Sequence, residues 1–219
     1  MTSSSRSDDV ASIVARHDPA AYSRPIARRS DADLPFDPAA MPADLPVMLD
    51  TNFYIARLKG KLTAQILNFV DGRQVLHSGI ACSELAISVG ILAPEEPTTP
   101  TYRDPIMNLL ATIDLAQTVS PSAAAWSEAG MIAGILARTQ HLNRSRKELT
   151  AEERCCQDGK RRKLLNDALI FLSAVESNAV LVSANIRDLD ILLKFKSGAH
   201  VLLYKTQEPS IGAELLKLS

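Results

Sequence analysis

Four short runs, Val47-Met48-Leu49, Val75-Leu76-His77, Val180-Leu181-Val182 and Val201-Leu202-Leu203, carry almost no polar alternation. A strand with one wet face alternates polar and apolar positions; a strand covered on both faces does not. Between these runs lie stretches of helical period, at about 52–59, 62–70, 81–91, 103–117, 122–138 and 161–177, with a shorter one near 188–194. Buried strands separated by helices predict an α/β layered domain built on a mostly parallel sheet. A last amphipathic turn is expected around Ile211–Leu218, and no repeat of fixed period is visible.

The pattern begins only after Pro46. Residues 1–46 contain six of the 12 prolines, Pro19, Pro25, Pro35, Pro38, Pro42 and Pro46, and no sustained apolar period. They read as an arm of about 45 residues, with the domain over 46–219. A short helix at Asp9–Ala15 would put Val10, Ile13 and Val14 on one face, but one this short needs something to pack against. The arm is therefore expected to be flexible, or to dock on the domain or on a partner.

Charge narrows the class little. The chain has 24 Lys+Arg and 25 Asp+Glu, a formal net charge of -1, which excludes a histone-like or acidic-tail composition. Basic residues concentrate in one segment, 138–163, where Arg138, Arg144, Arg146, Lys147, Arg154 and Lys160 to Lys163 outnumber Glu148, Glu152, Glu153 and Asp158. Thr150-x-x-Glu153 within it resembles a capping box and predicts a surface helix. The segment reads as a solvated polar connection or as a patch for nucleic acid. Cys82, Cys155 and Cys156 match neither a disulfide framework nor a zinc-ligand spacing. With no apolar run long enough to cross a bilayer and no apolar leader, the expectation is a reduced, cytoplasmic protein with no membrane contact.

Acids and amides mark four places. Asp50-Thr51-Asn52 follows the first strand directly, at the carboxyl end where open α/β sheets bind ligands; the same residues would also serve as helix caps. Glu84 sits among Ile80, Ala81, Leu85, Ile87 and Val89, downstream of Ser78, either reaching solvent or needing a compensating partner. Asp167 lies inside the apolar stretch Leu164–Val175, with positive charge confined to the start of that stretch. Ser183, Asn185 and Asp188 gather after the strand Val180–Val182. Carboxylates converging in one cleft repel and raise one another's pKa. A divalent cation removes that penalty, and an all-oxygen donor set suits Mg²⁺ or Mn²⁺ rather than zinc.

In this order and spacing, Asp50-Thr51-Asn52, Ser78 to Glu84-Leu85, Asp167-Ala168-Leu169-Ile170 and Ser183-Ala184-Asn185-Ile186-Arg187-Asp188-Leu189 resemble the motifs of PIN-domain nucleases, in particular VapC-type toxins. The resemblance covers roughly residues 46–204. Ser183 stands where those proteins usually carry Thr, and Leu189 where they carry Phe. The resemblance implies a three-layer α/β/α PIN-like fold and metal-dependent cleavage of RNA. It implies that Asp50, Glu84, Asp167 and Asp188 are the catalytic and metal-binding acids, Asn185 being the other choice for the fourth place. Thr51, Asn52, Ser183 and Asn185 would hold them. It further implies a homodimer, which the apolar faces near 62–70 and 84–91 could serve as easily as they could the core, and a cognate antitoxin covering the cleft.

The leading expectation is thus a Mg²⁺- or Mn²⁺-dependent endoribonuclease, the toxin of a toxin–antitoxin pair. Arg57, Lys59, Lys61 and the 138–163 insertion are candidates for phosphate contact. The arm and the insertion exceed what a minimal toxin carries. That keeps open a PIN-domain nuclease of RNA processing, or a catalytically idle module that binds RNA or protein. A phosphohydrolase or receiver-like domain with Asp50 as phosphoryl acceptor is the remaining alternative, disfavoured by Asn52 where a second Asp is wanted.

Overall fold

A computed structural model describes residues 10–140 and 160–208. Thr150-x-x-Glu153, Cys155, Cys156, the 211–218 turn and most of the 138–163 segment lie outside the described residues. The chain runs α1 (Val10–Ala15), β1 (Val47–Leu49), α2 (Thr51–Leu58), α3 (Ala64–Asp71), β2 (Val75–Ser78), α4 (Gly79–Gly90) and α5 (Thr99–Ala111). It continues through β3 (Thr118–Val119), α6 (Ala123–Gln140), α7 (Lys160–Glu176), β4 (Val180–Ser183), α8 (Ile186–Leu192) and β5 (Val201–Leu203).

The strands form one parallel sheet in the order β3-β2-β1-β4-β5. Leu49 lies opposite His77 on one side and Val182 on the other, so β1 is central. Val47, Met48, Val180, Val182 and Leu202 are fully enclosed, which accounts for the lack of alternation in their sequence. With the right-handed crossovers that govern parallel sheets, this strand order assigns α2 to α5 to one face and α6 to α8 to the other, giving three layers. Phe53 and Leu85 fill the first helical layer, and Ile132, Leu169 and Phe171 the second.

Successive strands step one way from β1 to β3, then return past β1 to β4. The switch point of the sheet therefore lies between the carboxyl ends of β1 and β4, where such folds open a crevice. β3 does not stand out in the sequence, being two half-buried residues at the sheet edge. Helix α5 begins at Thr99, with Pro100 in its first turn, and carries Pro105 internally, which obscures its period. Ile66 and Val70 of α3 belong to the core, whereas Ile87 and Ile91 on and just beyond α4 are exposed. Cys82 is a free, half-buried thiol. No helix among the described residues is long and apolar enough to cross a membrane.

From residue 10 onward the arm is docked on the domain, because tertiary contacts supply what its sequence lacks. Ile13 of α1 is buried, and α1 packs on α6. The buried His17 Nε2 lies 2.6 Å from Glu128 Oε1, and Lys196 Nζ lies 2.8 Å from that same oxygen. Arg29 donates from Nε at 2.6 Å and from its backbone N at 2.9 Å to the carboxylate of Asp190 on α8. Farther on, Leu203 N donates to Pro35 O, joining the arm to β5.

Candidate functional site

Asp50 occupies the N-cap position of α2 yet makes no side-chain capping bond. Its carboxylate turns to the switch point instead, where Oδ2 accepts from Ser183 Oγ at 2.5 Å and from Asn52 Nδ2 at 3.1 Å. Between the two roles open to this residue, local capping is the one its side chain does not perform. Asn185 likewise sits at the start of α8 without a side-chain cap, while its backbone N donates to Ser183 Oγ at 2.9 Å. Ser183 thereby ties the ends of β1 and β4 together.

Glu84 is half-buried on α4 and is fully engaged. Its Oε2 accepts from Thr51 Oγ1 at 2.5 Å and its Oε1 from Asn166 Nδ2 at 2.8 Å. Ser78, six residues before Glu84, caps α4 by accepting from Ala81 N at 3.4 Å. Asn166 was not singled out by the sequence, and its position one residue before an acid carries no periodic signal.

Asp167 on α7 and Asp188 on α8 complete the cluster. Asp167 Oδ2 is buried without a hydrogen-bond partner. Asp188 Oδ2 pairs with Lys163 Nζ at 2.9 Å. Lys163 precedes Asp167 by four residues, so both project from one face of α7, a spacing the sequence did contain.

The electrostatics record how closely these groups interact. Burial, then the charges of Asp50 and Asp188, push Asp167 up to about 8, with Lys163 opposing and Glu84 adding to the rise. Burial also raises Asp50, against the hydrogen bonds from Ser183 and Asn52, while Glu84 raises it further. For Asp188 burial works upward, but the hydrogen bond and charge of Lys163, with help from Asn185 and Asp167, leave it below the usual value. Three carboxyls with different environments thus have separated proton affinities.

The residues singled out in the sequence therefore meet at one place, from two strand ends and three helix segments. Two further groups belong beside them. Tyr204, just past β5, is buried with an unpartnered hydroxyl raised by burial and by the charge of Asp50. Tyr54 Oη lies 2.7 Å from His77 Nδ1, and its hydroxyl is raised by the same two influences together with Cys82. Neither tyrosine was picked out, since each reads as an ordinary core aromatic.

Among the described residues, no three Asp, Glu, His or Cys side chains are grouped as a ready-made metal site. The donor set nevertheless fits a hard dication in its chemistry: the oxygens of four acids drawn to one place, with Asp167 Oδ2 buried and left without a partner. A cation there would relieve the desolvation and repulsion that raise Asp167.

No family model matches the chain, and no curated protein matches it. Solved structures similar to it include FitAB bound to an IR36 DNA fragment, at 13% identity over 72% of this chain and 94% of that one, with a TM-score of 0.45. VapBC2 from Rickettsia felis bound to a promoter DNA fragment is similar at 18% identity, over 74% of this chain and 100% of that one, with a TM-score of 0.45. FitAcB from Neisseria gonorrhoeae is similar at 14% identity, over 71% and 96%, with a TM-score of 0.42. The likeness is distant.

Proposed function

We propose that the chain is a Mg²⁺- or Mn²⁺-dependent endoribonuclease hydrolysing RNA phosphodiester bonds, acting as the toxin of a toxin–antitoxin pair. The observation that carries the reading is the convergence of Asp50, Glu84, Asp167 and Asp188 at the switch point, with Asp167 raised to about 8 by burial and by its fellow acids. Stability alone gives no reason to gather four carboxylates at one place, where among the described residues one ammonium meets them. The ordered motifs that resemble PIN-domain toxins point to the same chemistry.

A Mg²⁺ or Mn²⁺ ion held by these four acids would supply Lewis acidity to a water and to phosphate oxygens. The remaining work falls to the chain itself. Ser183 and Asn52 orient Asp50, while Thr51 and Asn166 orient Glu84, each fixing one carboxylate from both sides or both oxygens. Exposed Arg57 and Lys59, with Lys61 beside them, would hold the RNA backbone by phosphate contact. The toxin setting, a cognate antitoxin and a homodimer follow from the sequence resemblance and are proposed with it.

The test is cleavage of a mixed structured-RNA pool with Mn²⁺, Mg²⁺ or EDTA, after denaturation and refolding to strip any bound inhibitor. Wild type should cleave only with metal, and Asp50→Asn and Asp167→Asn should each fall by about 100-fold or more. Cleavage that survives EDTA, or equal behaviour of wild type and folded variants, would overturn the reading in favour of a binding module or phosphohydrolase.

A further inference from the structure

Lys163 lies in the first described turn of helix α7 (Lys160–Glu176), where there is no acid, so a negative group from elsewhere must face its charge. For Lys163 that group is Asp188, at 2.9 Å. The Lys163 charge also acts on Asp167 and Asp50, so one ammonium faces three of the four acids at the switch point. Unlike Arg29, whose carboxylate partner is buried, Lys163 keeps 64% of its side chain exposed and pairs with a carboxylate that is itself 23% exposed. Such a pair is weak and separates readily.

We propose that Lys163 is a built-in counter-ion of the acid cluster, whose ammonium must leave Asp188 when a divalent cation enters, so that the chain sets its own metal threshold. This rests on the metal-dependent reading of the same site. A tethered monovalent cation and a free divalent one compete for the same oxygens. The tether keeps the local concentration of the ammonium fixed, while the dication gains from its second charge and from reaching Asp167 Oδ2, the oxygen left without a partner. The threshold is thereby a property of α7 rather than of the acids alone. Lys163→Arg should hold Asp188 more firmly, because a guanidinium forks onto a carboxylate.

The experiment measures Mn²⁺ binding without RNA, by electron paramagnetic resonance of free Mn²⁺ at pH 8 and low salt. Wild type, Lys163→Met, Lys163→Arg and Asp167→Asn are compared. In parallel, acylation of Lys163 by an amine-directed reagent is read by peptide mass spectrometry, with and without Mn²⁺. Lys163→Met should bind Mn²⁺ about five-fold tighter than wild type, and Lys163→Arg no tighter. Acylation of Lys163 should rise several-fold on adding Mn²⁺ to wild type and stay level in Asp167→Asn. Tighter Mn²⁺ binding by Lys163→Met with the wild-type acylation of Lys163 unchanged by Mn²⁺ would mean that the ammonium stays on Asp188, and that result would overturn the proposal. Equal Mn²⁺ affinity in wild type and Lys163→Met would overturn it while leaving the metal-dependent reading intact. Absence of Mn²⁺ binding in every form would overturn both.

Discussion

Asp190 and Asp167 are acids on neighbouring helices of one domain, and the protein treats them in opposite ways. Asp190, 2% exposed, receives both the Nε and the backbone N of Arg29. Glu128, also buried, shares one oxygen between His17 and Lys196; burial works to raise it, but Lys196 and His17 together hold it below the usual range. Asp167 receives no such partner on Oδ2 and is driven up to about 8. Where an acid serves the architecture, a cation from a distant part of the chain meets it. Among the described residues, the acids at the switch point are met by hydroxyls, amides and one loosely held ammonium. The difference separates charge used to join the arm to the domain from charge kept available.

Removing the cation at the compensated end should have the largest effect. Arg29→Ala leaves Asp190 buried without its partner and should cost about 3 kcal/mol or more, read as a shift of the urea midpoint. At the uncompensated end the sign reverses. Asp167→Asn should stabilise the metal-free protein at pH 8 by on the order of 2 kcal/mol while abolishing cleavage. The folded chain holds the Asp167 proton up to about 8, whereas the unfolded chain releases it near the ordinary 3.8. Its contribution to stability is therefore complete below that ordinary value and is lost as pH climbs toward 8. Glu128 acts the other way, its contribution being present above the ordinary carboxylate value and lost as pH falls through its lowered one. Thermal melts of wild type and Asp167→Asn should diverge steadily from pH 5 to pH 8, and parallel curves would remove the contrast. The smallest effect should come from Asp31→Ala, which breaks the exposed pair with Lys205 and should change stability by less than about 0.5 kcal/mol in the same urea titration.

What was legible in the sequence is what depends on near neighbours. The strands β1, β4 and β5 declare themselves because burial on both faces removes polar alternation over consecutive residues, whereas β2, mostly half-buried, shows only as a short apolar start. Asp50, Glu84 and Asp167 draw notice because each interrupts or directly follows an apolar run, and Asp188 because it gathers with Ser183 and Asn185 after one. β3 escapes because two half-buried residues are too short to show any period. The fate of the arm could not be decided either, since His17 meets Glu128 and Arg29 meets Asp190 across most of the chain. Asn166 illustrates the same limit inside the site. Its neighbour Asp167 is conspicuous, but the amide's value lies in reaching Glu84, 82 positions earlier.

The central place of β1 has a consequence for how the protein is made. Its neighbour β2 follows within a few tens of residues, but its other neighbour β4 begins only at Val180. On a ribosome, one edge of β1 stays open until that late strand has emerged, and Asp50 waits equally long for the hydroxyl of Ser183. The clasp of the arm on Asp190, and the Lys196 half of the one on Glu128, close in the same late interval. A nascent chain halted before β4 therefore holds only Asp50, Glu84 and Asp167, spread over an incomplete sheet. Assembly of the cleft is in this way one of the last acts of synthesis.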